Sequence, residues 1–263
     1  EGIHMECQFL KRSGKNDIAY HYSAPVGEGK DLPHVFFLGG FKSDMNGTKA
    51  TYLEAQCKAR GQGFLRFDYT GHGQSGGDFV DGTIGSWKGD ALDIFDHIAA
   101  DKVILVGSSM GGWISLLVAR EREKFLHGII GIAAAPDFTI DMWFNRLNES
   151  QRQEIEEKGR AELPNDYDEP YILTKALFED GKQHLLLDAE QDIDVPMVLI
   201  QGMADPDVPW EVTARIEKAF PKSEVDIVLI EDGDHRLSRP EDLALLDKEV
   251  TNLSHRNNQY SSL

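Results

Sequence analysis

Lys102-Val-Ile-Leu-Val-Gly-Ser-Ser-Met-Gly-Gly-Trp113 is the stretch on which the fold turns. Its first part, Lys102–Val106, is a short apolar run closed by glycine and reads as a buried strand. Beyond it, Trp113, Ile114, Leu116, Leu117 and Val118 supply the apolar face of a helix. Between the two stands Gly107-Ser108-Ser109-Met110-Gly111. Strand, Gly-x-Ser-x-Gly and helix together describe a sharp turn that lifts a serine hydroxyl above the sheet edge. The glycines matter because a Cβ at 107 or 111 would collide with the neighbouring strand or helix. The five letters alone are a weak signal, and the flanking strand and helix give them weight.

Outward from this turn, strands and helices alternate. Met5–Lys11 and Asp17–Ser23 read as a hairpin around Ser13-Gly14-Lys15-Asn16. Val35–Leu38 and Phe64–Phe67 are short buried strands, followed by helices over Thr48–Arg60 and Thr83–Ala99. In the second helix, Ile84, Trp87, Ala91, Leu92 and Phe95 recur at helical spacing. After the serine turn come strands at Gly128–Ala134, Met197–Gln201 and Val225–Ile230, with helices over Trp210–Phe220 and from Glu241 to Leu253. This rhythm predicts right-handed βαβ units and a mostly parallel, eight-stranded sheet in an α/β fold. Residues 136–193 break it, with a polar helix at Glu149–Arg160, the Pro-bearing Leu163–Pro170 and a second helical stretch near Tyr171–Phe178. An insertion of this length reads as a helical cap after the sixth strand, over a core of residues 5–135 and 194–263. Met142, Trp143 and Phe144 stand where an acyl-contacting lid would begin, although packing of the cap on the core explains them equally well.

At 263 residues with 41% hydrophobic content, the chain can bury one substantial core. No apolar stretch reaches the ~18 residues that a transmembrane helix requires. The formal charge of −18, from 45 acidic and 27 basic residues, argues against a nucleic-acid partner. Cys7 and Cys57 lack metal-ligand spacing and read as free thiols. Residues 1–4 read as an expression-tag remnant ahead of a native start at Met5. The residues after Met5 show no secretory pattern, so a cytoplasmic protein is expected.

A serine hydroxyl is a poor nucleophile at neutral pH and needs an adjacent base oriented by a carboxylate. On this fold, acid and histidine follow the serine in that order, each on a loop after a later strand. Met197–Gln201 is followed by Gly202-Met-Ala-Asp205-Pro-Asp207-Val-Pro209, and Val225–Ile230 by Glu231-Asp-Gly-Asp-His235. His235 is the expected base. Asp205, three residues after the strand-ending glycine, is preferred over Asp207 as the acid, with Asp207 holding the turn. Attack on an ester generates an oxyanion, for which backbone N–H groups of Met110 and of Phe41 in Gly39-Gly40-Phe41-Lys42-Ser43 are the expected donors.

Gly71-His72-Gly73-Gln74-Ser75-Gly76 matches the dinucleotide fingerprint letter for letter. That motif needs a helix opening at its third glycine, whereas Gly77–Gly82 intervenes here with no helical period. A nucleotide is therefore not expected. Neither a phosphate-binding Gly-Lys-Ser/Thr loop nor His/Cys metal spacing occurs, and no cofactor or metal is expected.

Taken in order, Gly39-Gly40, Asp68-Tyr-Thr-Gly71-His-Gly73-Gln-Ser75, the serine turn, Gly202-x-x-Asp205-x-x-Val208-Pro209 and His235 resemble the α/β-hydrolase superfamily over essentially the whole chain. Asp44-Met-Asn-Gly-Thr-Lys-Ala50, Gly107-Ser-Ser-Met-Gly-Gly-Trp113, Arg66-Phe-Asp-Tyr69 and Val208-Pro-Trp210 are more specific. They resemble the small subgroup of the mitochondrial palmitoyl-protein thioesterase that also deacylates acyl glucuronides. The resemblance implies a Ser109–Asp205–His235 triad and hydrolysis of small-molecule acyl esters or thioesters. An acyl-protein or acyl-CoA thioesterase and an acyl-glucuronide deacylase are the nearest alternatives. A peptidase or acyltransferase shares the triad. A non-catalytic ligand receptor on this fold would typically lack one of its members, and all three are present here. Dehalogenases and epoxide hydrolases place an aspartate where Ser109 stands.

Overall fold

The computed structural model describes residues 6–165 and 169–256, so the expected tag remnant at residues 1–4 lies outside the described residues. The chain first forms β1 (Gln8–Leu10) and β2 (Ile18–Ser23), then β3 (His34–Leu38), α1 (Thr48–Ala59) and β4 (Phe64–Phe67). It continues with α2 (Ile84–Ile98), β5 (Val103–Ser108), α3 (Met110–Arg122) and β6 (Leu126–Ile132). An inserted segment carries α4 (Phe138–Asp141), a π-helical turn (Met142–Arg146), α5 (Glu149–Lys158), β7 (Arg160–Leu163), β8 (Tyr171–Thr174) and α6 (Lys175–Gly181). The core resumes with β9 (Met197–Gly202), α7 (Val212–Ala219), β10 (Val225–Ile230) and α8 (Pro240–Ser254).

Eight strands form one sheet in the order β1-β2-β4-β3-β5-β6-β9-β10. Only β1 on β2 and β2 on β4 pair antiparallel, and the rest of the ladder is parallel. The expected eight-stranded, mostly parallel sheet is therefore present. Strand alternation sends Val35 and Phe37 to one face, where they pack with Leu53 of α1 and Val250 of α8. Phe36 and Leu38 point to the opposite face, with Trp87 of α2 and Trp113 of α3. Both faces of the sheet are thus covered, which is why its central strands read as unbroken apolar runs. From β3 the chain runs to β4 and then back across to β5. The loops after β3 and β5 therefore lead to helices on opposite faces and leave a crevice at the carboxyl ends of the strands.

The inserted segment is not all helical. β7 and β8 pair antiparallel, Arg160 opposite Thr174 and Leu163 opposite Tyr171. The helix expected near Tyr171–Phe178 starts only at Lys175, where the Thr174 side chain accepts the Leu177 N–H at 3.1 Å. Tyr171-Ile-Leu-Thr174 are strand formers. Four residues are too few for a two-residue period to outweigh a helical one. Cys7 and Cys57 are free thiols. Burial pushes the Cys57 thiol up to about 12, so it stays protonated and inert.

Arg12, beside the β1–β2 turn, ties this hairpin to α2. Its Nη1 donates to Asp90 and Asp93 at 2.8 Å each, and its Nε and Nη2 donate to the Asn16 carbonyl. The Arg12 and Asp90 side chains are only 8% and 5% exposed. Removing one member of such a pair leaves the other as an uncompensated buried charge. Arg12→Met is expected to lower unfolding free energy by about 3 kcal/mol, read from urea denaturation. A change below about 1 kcal/mol would show that the pair is not buried in solution.

Candidate active site

β5 ends at Ser108, and Ser109 turns the chain into α3 with φ +54° and ψ −117°. A non-glycine residue at such a φ costs on the order of 1–3 kcal/mol and needs its surroundings to hold it. Ser109 N–H donates to Ile132 O at 2.9 Å, and Ser109 O accepts Gly112 and Ala135 N–H at 2.9 and 3.0 Å. The glycines fit as the sequence requires. A Cβ on Gly111 would lie 2.0 Å from the Leu38 carbonyl oxygen, and one on Gly107 would lie 2.2 Å from Gly111 O. Strand and helix meet at a distance only glycine allows.

The loops after β9 and β10 bring Asp205 and His235 together. His235 Nδ1 donates to Asp205 Oδ2 at 2.8 Å, leaving Nε2 as the nitrogen available for chemistry. The Asp205 side chain is fully buried. Its Oδ1 accepts the Asp207 and Val208 N–H groups at 2.8 and 2.9 Å, and its Oδ2 also accepts Gln201 Nε2 at 3.1 Å. Burial alone would push this carboxyl up. The hydrogen bond and charge of His235 and the two backbone donors outweigh burial and hold it below its ordinary value. Asp207, the less favoured candidate for the acid, instead reaches the inserted segment, where its Oδ1 lies 3.5 Å from Arg146 Nη2. Among the described residues, Asp205, Asp207 and His235 also form the one group with ligand atoms close enough for a metal ion. Both oxygens of Asp205 already accept two hydrogen bonds each, which leaves that group poorly suited to a cation.

Ser109 and His235 line one cleft of about 740 Å³ at the carboxyl end of the sheet, together with Gly40, Phe41 and Met142. The expected oxyanion loop therefore lies at the serine: a Cβ on Gly40 would stand 3.5 Å from Ser109 Cβ. The Phe41 ring is packed edge-on against Phe79, Trp87, Phe138 and Tyr171, with centroids 4.9–5.9 Å apart. Met110, the other expected donor, is buried at the start of α3. The three residues expected to begin a lid separate. Met142 lines the cleft, whereas Trp143 packs on Phe178 at 5.0 Å and Phe144 is 69% exposed; neither of these two lines it. Three consecutive residues of one helical turn point in three directions, so they cannot all face the cleft.

Arg146 and Lys49 are among the cleft residues that sequence reasoning missed. Arg146 carries no sequence signal, because only the π-helical turn brings it to the cleft beside Met142. Lys49 did carry one, since it lies in the Asp44–Ala50 stretch. Its Nζ donates to the Arg236 carbonyl at 2.5 Å, tying α1 to the residue after His235. Burial lowers the Lys49 ammonium to about 8.

The Gly71–Gly76 loop leads not into a helix but into a short 3₁₀ turn at Phe79–Asp81, with α2 beginning only at Ile84, so the nucleotide reading stays rejected. His72 in this loop is 3% exposed. Its Nε2 accepts the Lys42 N–H at 3.0 Å, which fixes the tautomer, and Nδ1–H donates to Thr70 O at 3.1 Å. Burial lowers the His72 imidazole to about 4.

Known proteins resemble this chain in sequence and in fold. The profile of the alpha/beta hydrolase family matches residues 39–244. The chain is 35% identical over 247 residues to human palmitoyl-protein thioesterase ABHD10, mitochondrial, covering 93% of this chain and 79% of that one. Its mouse counterpart is 36% identical over 240 residues, 90% of this chain and 79% of that one. Among solved structures, a protein of Agrobacterium vitis superposes with a TM-score of 0.89 at 40% identity, covering 95% of this chain and 99% of that one. Mouse alpha/beta hydrolase domain-containing protein 10 gives 0.85 at 33% identity, covering 95% and 98%. The chain belongs to the alpha/beta hydrolase family. The cytoplasmic expectation is corrected by the same relatives, which are mitochondrial by name. No helix of the described residues is long and apolar enough to cross a membrane.

The buried His72 sets a pH dependence of stability. Its value in the folded chain, about 4, lies below its ordinary 6.5, so on acidification the unfolded chain takes up the proton first. Stability from this residue is full above pH ~6.5 and drains away as pH falls towards ~4, by about 3 kcal/mol. Urea unfolding at pH 7 and at pH 4.5 is expected to show a smaller loss in His72→Gln than in the parent chain. Equal losses would mean that His72 titrates at its ordinary value.

Proposed function

We propose that the protein is a serine hydrolase that cleaves carboxylic esters or thioesters of small molecules through an acyl-enzyme on Ser109. The observation that carries this reading is the 2.8 Å bond from His235 Nδ1 to the buried Asp205, in a cleft that His235 shares with Ser109. His235 Nε2 takes the Ser109 proton as Oγ attacks the acyl carbon, and Asp205 holds the tautomer and steadies the imidazolium. The tetrahedral oxyanion is met by the N–H groups of Phe41 and Met110. Collapse breaks the bond to the leaving oxygen or sulfur, which receives the proton from His235. Water activated by the same nitrogen then releases the acid and regenerates Ser109.

The segment 136–193 acts as the cap over a core of residues 5–135 and 194–263, and Met142 supplies apolar contact to the acyl group. Thioester cleavage is supported by the naming of relatives about 35% identical as palmitoyl-protein thioesterases. Deacylation of acyl glucuronides is the nearest second reading, on the resemblance in sequence.

Ser109→Ala is expected to remove nearly all turnover of short p-nitrophenyl esters and all labelling by a fluorophosphonate probe. Asp205→Asn is expected to lower kcat by ~10³–10⁴-fold, because the wrong tautomer of His235 then faces the serine. Full turnover by Ser109→Ala would overturn the assignment. A panel of esters and thioesters of graded acyl length, read as kcat/KM, ranks the substrates.

A further inference from the structure

We propose that His72 is a positioning residue for the oxyanion loop: its ring holds the Lys42 N–H and thereby fixes the turn that carries the Phe41 N–H beside Ser109. The inference rests on the reading of Phe41 as an oxyanion donor.

The loop after β3 folds back on itself, with Ser43 N–H donating to Gly40 O at 3.2 Å. Within that turn Lys42, not glycine, takes φ +56°. A side-chain-bearing residue stays in the left-handed region only where its neighbours over-determine it. The neighbour that grips its N–H is His72 Nε2, at 3.0 Å. His72 is itself immobilised. Tyr69, Phe79 and Trp87 wall its ring edge-on at 5.2–5.4 Å. Its own acceptor, Thr70 O, also takes the Trp87 Nε1–H at 3.1 Å, so the anchor is anchored.

The same cluster grips the side chain of the loop, since Phe79 and Trp87 also pack on Phe41. Backbone and side chain of the oxyanion turn are thus docked on one aromatic block, and histidine is the member that offers it a hydrogen-bond acceptor. A leucine of similar bulk fills the space but leaves the Lys42 N–H without a buried acceptor. An uncharged acceptor suits this site, because a cationic ring would present an N–H to another N–H. The Gly71–Gly76 loop, which resembles a nucleotide motif in letters only, thereby gains a function in hydrolysis. Donors held rigidly before substrate arrives act on the developing oxyanion more than on the ground-state ester. Loosening them therefore lowers kcat and leaves KM nearly unchanged.

The test is steady-state hydrolysis of p-nitrophenyl acetate by His72→Leu and His72→Gln, with thermal midpoints recorded for both. His72→Leu is expected to lower kcat by about 10–100-fold with KM within about 3-fold. His72→Gln, whose Oε1 can accept the Lys42 N–H, is expected to recover most of that loss. A folded His72→Leu with parental kcat overturns the proposal, as does a folded His72→Gln that loses as much as the leucine variant. Should the leucine variant not fold, long-range ¹H–¹⁵N spectra of the parent chain decide. A bare Nε2 beside a protonated Nδ1 supports the proposal, and a proton on Nε2 overturns it. Fluorophosphonate labelling of Ser109 in the parent chain separates the two readings. Its absence overturns the serine mechanism, whereas labelling together with indifference to His72→Leu overturns only the role of His72.

Discussion

The close contact of β3, β5 and the first turn of α3 is the constraint on which the rest depends. A Cβ on Gly111 would lie 2.0 Å from the Leu38 carbonyl oxygen, so the helix can start against β3 only without a side chain there. That contact forces the chain through Ser109 at φ +54° and leaves the side chain of this residue at the top of the sheet. The loop after β3 leaves from the same place, which brings Gly40 and Phe41 to the serine without any further device. The serine at the turn and the Gly40–Phe41 loop beside it are two products of one packing contact.

Asp205 and His235 are held by a different kind of force. In a chain of net charge −18, a buried carboxylate stays ionised only where donors surround it. Asp205 has four, from His235, Gln201 and the backbone of residues 207 and 208. Such a carboxylate cannot turn away from the histidine without stranding donors, which makes it a fixed orienting group. Ion pairs of 3.5 Å from Arg146 to Asp207 and 3.8 Å from Lys42 to Glu169 then join the inserted segment to the loops after β9 and β3. Both pairs involve exposed or partly exposed side chains, so they tether the inserted segment only weakly.

Legibility in the sequence followed the physics of each feature. The strand Met197–Gly202 and the helix Ile84–Ile98 stood out because burial on a parallel sheet or along one helix face imposes a long, regular apolar pattern. That Asp205 rather than Asp207 meets His235 was readable from its spacing to Gly202, since the loop geometry after a strand is set locally. The β7–β8 pair was not, because four-residue strands in a polar insertion leave no period to detect. Trp143 and Phe144 show the same limit. Both are large and apolar, yet one packs within the inserted segment and the other meets solvent, and only the π-helical turn sets their directions.

By itself, the sequence determined the order of strands and helices, the turn that must carry Ser109, and the loops that carry Asp205 and His235. Each of these is encoded by short-range requirements, namely apolar period, glycine at a contact and distance from a strand end. Tertiary structure alone decided which side chains of the inserted segment reach the cleft, that Arg146 meets Asp207, and that His72 grips the peptide of Lys42. Those contacts join segments some 30 to 60 residues apart, and their partners are chosen by how packed elements orient the side chains, which no local pattern records.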